Sequence, residues 1–262
     1  MRLVWLTDIH LNFVPPLARL AFYAAILAEE PDAILLGGDI GEAPNLLQFL
    51  DEIDRNLQFP VYFVLGNHDF YGGSIPAVRE AVARHASPRL HWLPSTGIVH
   101  LGTDIALIGH DSWADGRFGD FRGSTVRLND YVHIADFRNL TKPACLAKLN
   151  ELGDEAADYL ELKSREALAS GRDVLLLTHV PPFREACWHE GRISNDEYLP
   201  HFSCRVVGER LVAVMRDFPD RSMTVLCGHT HSSGMAQILD NLAVRTGGAE
   251  YGAPCQQAIL TV

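Results

Sequence analysis

Val61-Tyr62-Phe63-Val64-Leu65-Gly66-Asn67-His68-Asp69 is an apolar run that breaks at a glycine and then delivers three polar side chains in succession. A short continuous apolar stretch closed by a turn residue reads as a strand buried on both faces. Gly66 permits the sharp turn and close backbone approach that such a strand end needs. The three residues after the turn decide the reading, because Asn, His and Asp can bind cations or move protons.

Working outward, the same habit recurs. Leu3–Leu6 is followed by Asp8 and His10, and Ala33–Leu36 leads through Gly37 and Gly38 to Asp39. Val174–Leu177 leads to His179, and Thr224–Cys227 leads through Gly228 to His229 and His231. Between these runs Leu17, Leu20, Ala21, Ala24, Leu27 and Ala28 follow the spacing of a helix face, and Pro31 ends it. Pro44–Asn56, Pro76–His85, Ala144–Ser170 (with Gly153 as its weak point) and Arg205–Phe218 read as further helices. Gly97–Leu101 and Asp104–Gly109 read as a hairpin, and Met235–Leu239, Leu242–Arg245 and Gln257–Val262 as closing strands. Strands alternating with helices indicate an α/β protein. In open α/β sheets, ligand sites gather outside the carboxyl ends of the strands.

Taken singly, each residue has an ordinary explanation. Asp8 can cap a turn, Asp39 can cap a helix, and His179 can simply close a strand. The pairs Asp8/His10 and His229/His231 say more, since alternate side chains of extended backbone face one side. Five strand ends with metal-competent side chains, in one chain, argue against coincidence.

These motifs, Asp8-x-His10, Gly38-Asp39, Gly66-Asn67-His68-Asp69, His179 and Gly228-His229-x-His231, resemble the signature of the calcineurin-like metallophosphoesterases. The resemblance implies a four-layer αββα sandwich, two mixed β-sheets flanked by helices, in one domain over residues 1–262. It also implies two metal ions, one held by Asp8, His10, Asp39 and His231, the other by Asp39, Asn67, His179 and His229, with Asp39 bridging. Mixed carboxylate, amide and imidazole donors disfavour calcium and suit manganese, iron or zinc. The implied activity is hydrolysis of a small phosphomonoester or phosphodiester by a metal-bound hydroxide. His68 would act as acid for the leaving group, with Asp69 as its orienting partner. The length and the GNHD form are similar to bacterial cyclic-nucleotide and glycerophosphodiester phosphodiesterases. A scaffold that keeps the fold and binds protein partners would be expected to lose His68 or some ligands, and none is missing. Amidohydrolases place HxH near the first strand, and metallo-β-lactamases need HxHxDH, so neither fits.

Two stretches stand apart, about 110–143 and 180–204, with little periodicity; long irregular segments of this kind are usually functional. His110, Arg117 and Arg122 in the first are candidate substrate contacts, since arginine binds phosphate bidentately. Trp188, His189, His201 and Phe202 in the second form another candidate lid.

Composition bounds the rest. The charge sum of 22 basic against 33 acidic residues is −11, which disfavours nucleic acid and anionic membrane as partners. Five cysteines without a CxxC, and no secretory or membrane-spanning run, read as a cytoplasmic protein with reduced thiols. A homo-oligomer is compatible with all of this.

Overall fold

In the computed structural model, which describes residues 1–262, the apolar runs become the parallel strands of two sheets. The elements are β1 (Arg2–Leu6), α1 (Pro16–Leu27), β2 (Ala33–Leu36), α2 (Leu46–Leu57), β3 (Val61–Phe63), α3 (Ile75–Arg84), β4 (Leu90–Trp92), α4 (Leu93–Thr96), β5 (Val99–Leu101) and β6 (Ile105–His110). They continue with α5 (Asp130–His133), α6 (Lys142–Ala169), β7 (Asp173–Thr178), β8 (Trp188–His189), β9 (Arg192–Ile193), α7 (Leu199–Phe202), α8 (Arg205–Asp217), β10 (Met223–Cys227), β11 (Gly234–Leu239), β12 (Leu242–Thr246) and β13 (Ala258–Thr261).

One sheet runs β13-β1-β2-β3-β4 and the other β11-β12-β10-β7-β6-β5. The edge strands β13, β11 and β5 are antiparallel to their neighbours and the inner pairings are parallel. Alternation along each strand sorts the core into three layers. Leu3, Trp5, Leu35, Leu107, Leu175, Leu177 and Leu226 meet between the sheets. Val4, Leu6, Ile34, Leu36 and Phe63 face outward onto Phe22, Tyr23 and Ile26 of α1 and Phe49, Leu50 and Ile53 of α2. On the opposite face Ala106, Ile108, Val174, Leu176 and Val225 pack against Ala156, Ala157 and Leu160 of α6 and Val207 and Leu211 of α8. This is the four-layer α/β sandwich with two mixed sheets that the motifs imply.

The elements read from periodicity agree with those formed to within a few residues. The sequence reading missed β4, three residues with His91 at its centre, which completes the first sheet beside β3. Gly153 is no weak point. A Cβ there would lie 2.6 Å from Asp115 Cβ, so the glycine lets the 110–143 stretch seat directly on α6. That stretch is irregular but anchored: Asp115, fully buried, accepts N–H bonds from Arg117 (3.0 Å) and Val206 (2.9 Å), while its carbonyl accepts from Asn150 Nδ2 (2.6 Å). No helix is long and apolar enough to cross a membrane.

Candidate metal centre and active site

β1, β2 and β3 are neighbours in one sheet, and β7 and β10 are neighbours in the other, so five strand ends open onto one seam. Asp8, His10 and Asp39 adopt left-handed backbone (φ of 51°, 40° and 51°), as do His229 and His231 (70° and 57°). Asp and His tolerate this region better than most residues, and such strain gathers at functional sites. Backbone bonds hold these kinks: Asp8 N–H donates to the Gly38 carbonyl (3.0 Å) and His10 N–H to the Asp39 carbonyl (2.9 Å). Gly66 is required here, because a Cβ would run into the Asp39 carboxylate and the His179 ring.

Two clusters result. In the first, the ligand atoms of Asp8, His10, Asp39 and His231 all lie within 4.8 Å of one another. His10 Nε2 is 3.1 Å from His231 Nε2 and 3.7 Å from Asp39 Oδ2, and His231 Nε2 is 3.6 Å from Asp8 Oδ1. In the second, Asn67 Oδ1 lies 3.0 Å from His179 Nε2 and 2.9 Å from His229 Nδ1, while Asp39 Oδ1 is 3.5 Å from His179 Nε2. Asp39 therefore turns one oxygen toward each cluster.

The second cluster tests directly whether these residues suit a cation. His179 Nδ1–H donates to the Gly37 carbonyl (2.8 Å), and His229 Nε2–H donates to the His201 carbonyl (3.3 Å). The Asn67 amide NH2 donates to Asp130 Oδ1 (2.8 Å). Each partner uses up the proton-bearing side of its group, so with both imidazoles neutral three lone pairs converge on one point. That arrangement is repulsive unless a cation sits there. Ligands about 2.0–2.2 Å from an ion stand roughly 2.9–3.5 Å from each other in octahedral or tetrahedral geometry, which these separations match. Imidazoles oriented by a carbonyl on the far nitrogen are the usual outer support of a metal ligand. Burial, with the neighbouring His68, His231 and His179, pushes His10 down to about 2, leaving it neutral and free to coordinate.

His68 stands beside both clusters. Its backbone N–H donates to Asp39 Oδ1 (2.8 Å), its ring stacks on Tyr71 (4.3 Å between centroids), and its Nε2 is 3.5 Å from the Tyr251 hydroxyl. Burial lowers its pKa, and the nearby carboxylates of Asp130, Asp8 and Glu42 partly counter this. Asp69 is not its orienting partner. The Asp69 carboxylate is fully buried and accepts from the backbone N–H groups of Ile40 (2.8 Å), Gly41 (2.9 Å) and Gly66 (2.8 Å), tying the β2 and β3 loops together. Its burial and the adjacent Asp39 charge push its pKa up. The carboxylate is turned to these backbone donors and makes no bond to the His68 ring, whose Nδ1 has no partner.

The three candidate substrate contacts also fall elsewhere. His110 is buried at the end of β6, where its Nδ1 accepts from Ser112 N–H (3.0 Å) and its ring faces Tyr159 of α6. Arg117 is bound to Asp115 (3.2 Å) and to Asp154 of α6 (2.8 Å). Arg122 is exposed, and only its carbonyl is engaged, by Lys142 Nζ (2.8 Å). None lines the metal cleft; the long-range contacts of an irregular segment leave no periodic trace in sequence. The cleft wall comes instead from Leu128, Asn129 and Asp130, from His189 and Phe202 of the second stretch, and from Tyr71 and Tyr251. His189 and Phe202 thus reach the site, as the second candidate lid suggested. Asp130 and the two tyrosines were not anticipated. The Tyr71 hydroxyl donates to Asp130 Oδ1 (2.6 Å), so one buried carboxylate holds both the Asn67 amide and the ring under His68.

The calcineurin-like phosphoesterase family profile matches residues 1–233, and the chain belongs to that family. It is accordingly a metal-dependent phosphoric ester hydrolase, and its buried Asp/His cluster fits a dinuclear divalent centre. Among solved structures it is similar to a phosphopantetheinyl hydrolase from Mycobacterium tuberculosis (TM-score 0.66, 14% identity, covering 97% of this chain and 94% of that one). It is also similar to a dimetal phosphatase from Danio rerio (TM-score 0.58, 14% identity, 95% and 87% covered). At these identities the likeness is one of fold. No curated protein sequence matches the chain.

Proposed function

We propose that the chain hydrolyses a small phosphoester whose leaving alcohol carries no further anionic group, using two ions on the ligand sets above and His68 as the leaving-group acid. The convergence of Asn67 Oδ1, His179 Nε2 and His229 Nδ1, each with its proton-bearing side occupied elsewhere, carries the reading of a resident metal. Bound divalent ions supply Lewis-acid charge for the phosphoryl oxygens and lower the pKa of a water.

The chain's own residues supply position and proton transfer. The cleft beside the ligands holds about 240 Å³ and adjoins a second compartment of about 530 Å³ lined by Phe13, Glu42, Gly72 and His133. His68, Tyr71, Asn129 and Tyr251 line both compartments, which supports a role for the His68 imidazole between phosphoryl and leaving group. Neither compartment is lined by Lys or Arg, and Glu42 is the acid of the outer one. A nucleoside polyphosphate leaving group would meet that carboxylate without a counter-charge; a neutral or cationic alcohol would not.

The test is hydrolysis of nitrophenyl phosphate mono- and diesters with added Mn²⁺ by the wild type, His68→Ala and Asp39→Ala. With an alkyl ester such as glycerol phosphate, whose leaving alkoxide needs a proton, His68→Ala is expected to keep its metal and lose about 10²–10⁴-fold in turnover, while Asp39→Ala loses metal. Full activity of His68→Ala on that ester would remove the acid assignment, and metal-independent turnover would remove the whole reading.

A further inference from the structure

A second cavity lies apart from the metal cleft. It holds about 610 Å³, lies within the 110–143 stretch where that stretch meets the start of α6, and shares no lining residue with either compartment of the cleft. Its floor is apolar and aromatic, with Phe121, Tyr131, Phe137 and Cys145. Arg127, Arg138 and Lys142 stand around it, and no Asp or Glu lines it. In a chain of net charge −11, three cations facing one cavity without a carboxylate is a local reversal of sign.

These cations are not spent on ion pairs. Arg138 donates to the carbonyls of Val132 (3.1 Å) and His133 (3.2 Å), and Lys142 to those of Arg122 (2.8 Å) and Ser124 (2.6 Å). Neutral carbonyls position the two groups and leave their charge uncompensated. Arg127 is exposed and its guanidinium is held by no partner. The polar group on the floor is already satisfied: the Tyr131 hydroxyl donates to His201 Nδ1 (2.6 Å), and His201 Nε2–H faces Ser124 Oγ (3.0 Å). His201 therefore adds neither a free donor nor a charge, and burial keeps it neutral by lowering its pKa to about 4.

We propose that this cavity is a binding site for an amphiphilic organic anion, a small molecule with an aromatic or alkyl body and a carboxylate, sulfonate or phosphate. Its body would lie against Phe121, Tyr131 and Phe137, and its anion at Arg127, Arg138 and Lys142. The volume is that of a small-molecule site, and arginine forks suit all three oxyanions.

The probe is 8-anilinonaphthalene-1-sulfonate, titrated by fluorescence into the metal-loaded full chain. One saturable site per chain is expected. In Arg127→Glu/Arg138→Glu its affinity should fall by about tenfold or more, with circular dichroism and nitrophenyl ester hydrolysis unchanged. Arg127→Glu alone, at an exposed side chain without a bond, should show part of the loss and guards against misfolding. The uncharged N-phenyl-1-naphthylamine should bind about tenfold more weakly than the sulfonate. No saturable binding, equal affinity of the two probes, or unchanged affinity in both variants would overturn the proposal.

Discussion

Asp130 is 3% exposed and spends one carboxylate oxygen on two donors, the Asn67 amide and the Tyr71 hydroxyl. An amide has two chemically opposite ends, and only one suits a cation. The Asp130 charge fixes which end faces His179 and His229. Asp130→Asn can present either end to Asn67, so the amide orientation is no longer dictated. We expect the affinity of the Asn67-containing metal position to fall about 10–100-fold, with the Asp8/His10/His231 position kept, as read by metal titration with elemental analysis. Equal loss at both positions together with a lower melting temperature would mean that Asp130 only supports the fold. The proposed ligands were legible in sequence because each comes after an apolar run that folds as a strand. Asp130 was not, since it lies in a stretch without periodicity and acts only once that stretch has closed over Asn67.

At the scale of elements, α6 shows how an apparent defect can be a contact. Glycine inside a helix costs about 1 kcal/mol relative to alanine, so Gly153→Ala read from sequence should stabilise. In the structure the added Cβ would stand 2.6 Å from Asp115 Cβ and 3.4 Å from Cys204 Sγ. Asp115 cannot yield, because its carboxylate is fixed by Arg117 and Val206. Overpacking of that kind costs about 1–3 kcal/mol, which outweighs the propensity gain. Gly153→Ala should therefore lower the melting temperature, by roughly 2–4 °C per kcal/mol of net loss, checked by calorimetry; a rise would show that the 110–143 stretch shifts freely on α6. The same reasoning explains why the long strands and helices were readable and β4 was not. β3 is as short but lies in the continuous apolar run Val61–Leu65, whereas β4 has His91 at its centre between Arg89 and Pro94 and pairs on the open edge of β3.

At the scale of the whole molecule, Asp8, Asp39 and Asn67 come from one sheet and His179, His229 and His231 from the other. Ions bound by all of them would tie the sandwich across its seam. Stabilisation by a bound ion is about 2.7 kcal/mol at a hundred times its dissociation constant, so chelation should lower the melting temperature. Amide exchange should then quicken first at the ends of β1 and β10; a melting temperature indifferent to chelator would show that the seam is held by its apolar residues alone. The left-handed kinks at Asp8, His10, Asp39, His229 and His231 extend this further. Because backbone bonds hold the kinks at Asp8 and His10, the ligand spacing is set in advance, like the jaws of a fixed gauge. An ion whose preferred ligand distances differ from the spacing offered would have to move backbone as well as side chains in order to bind.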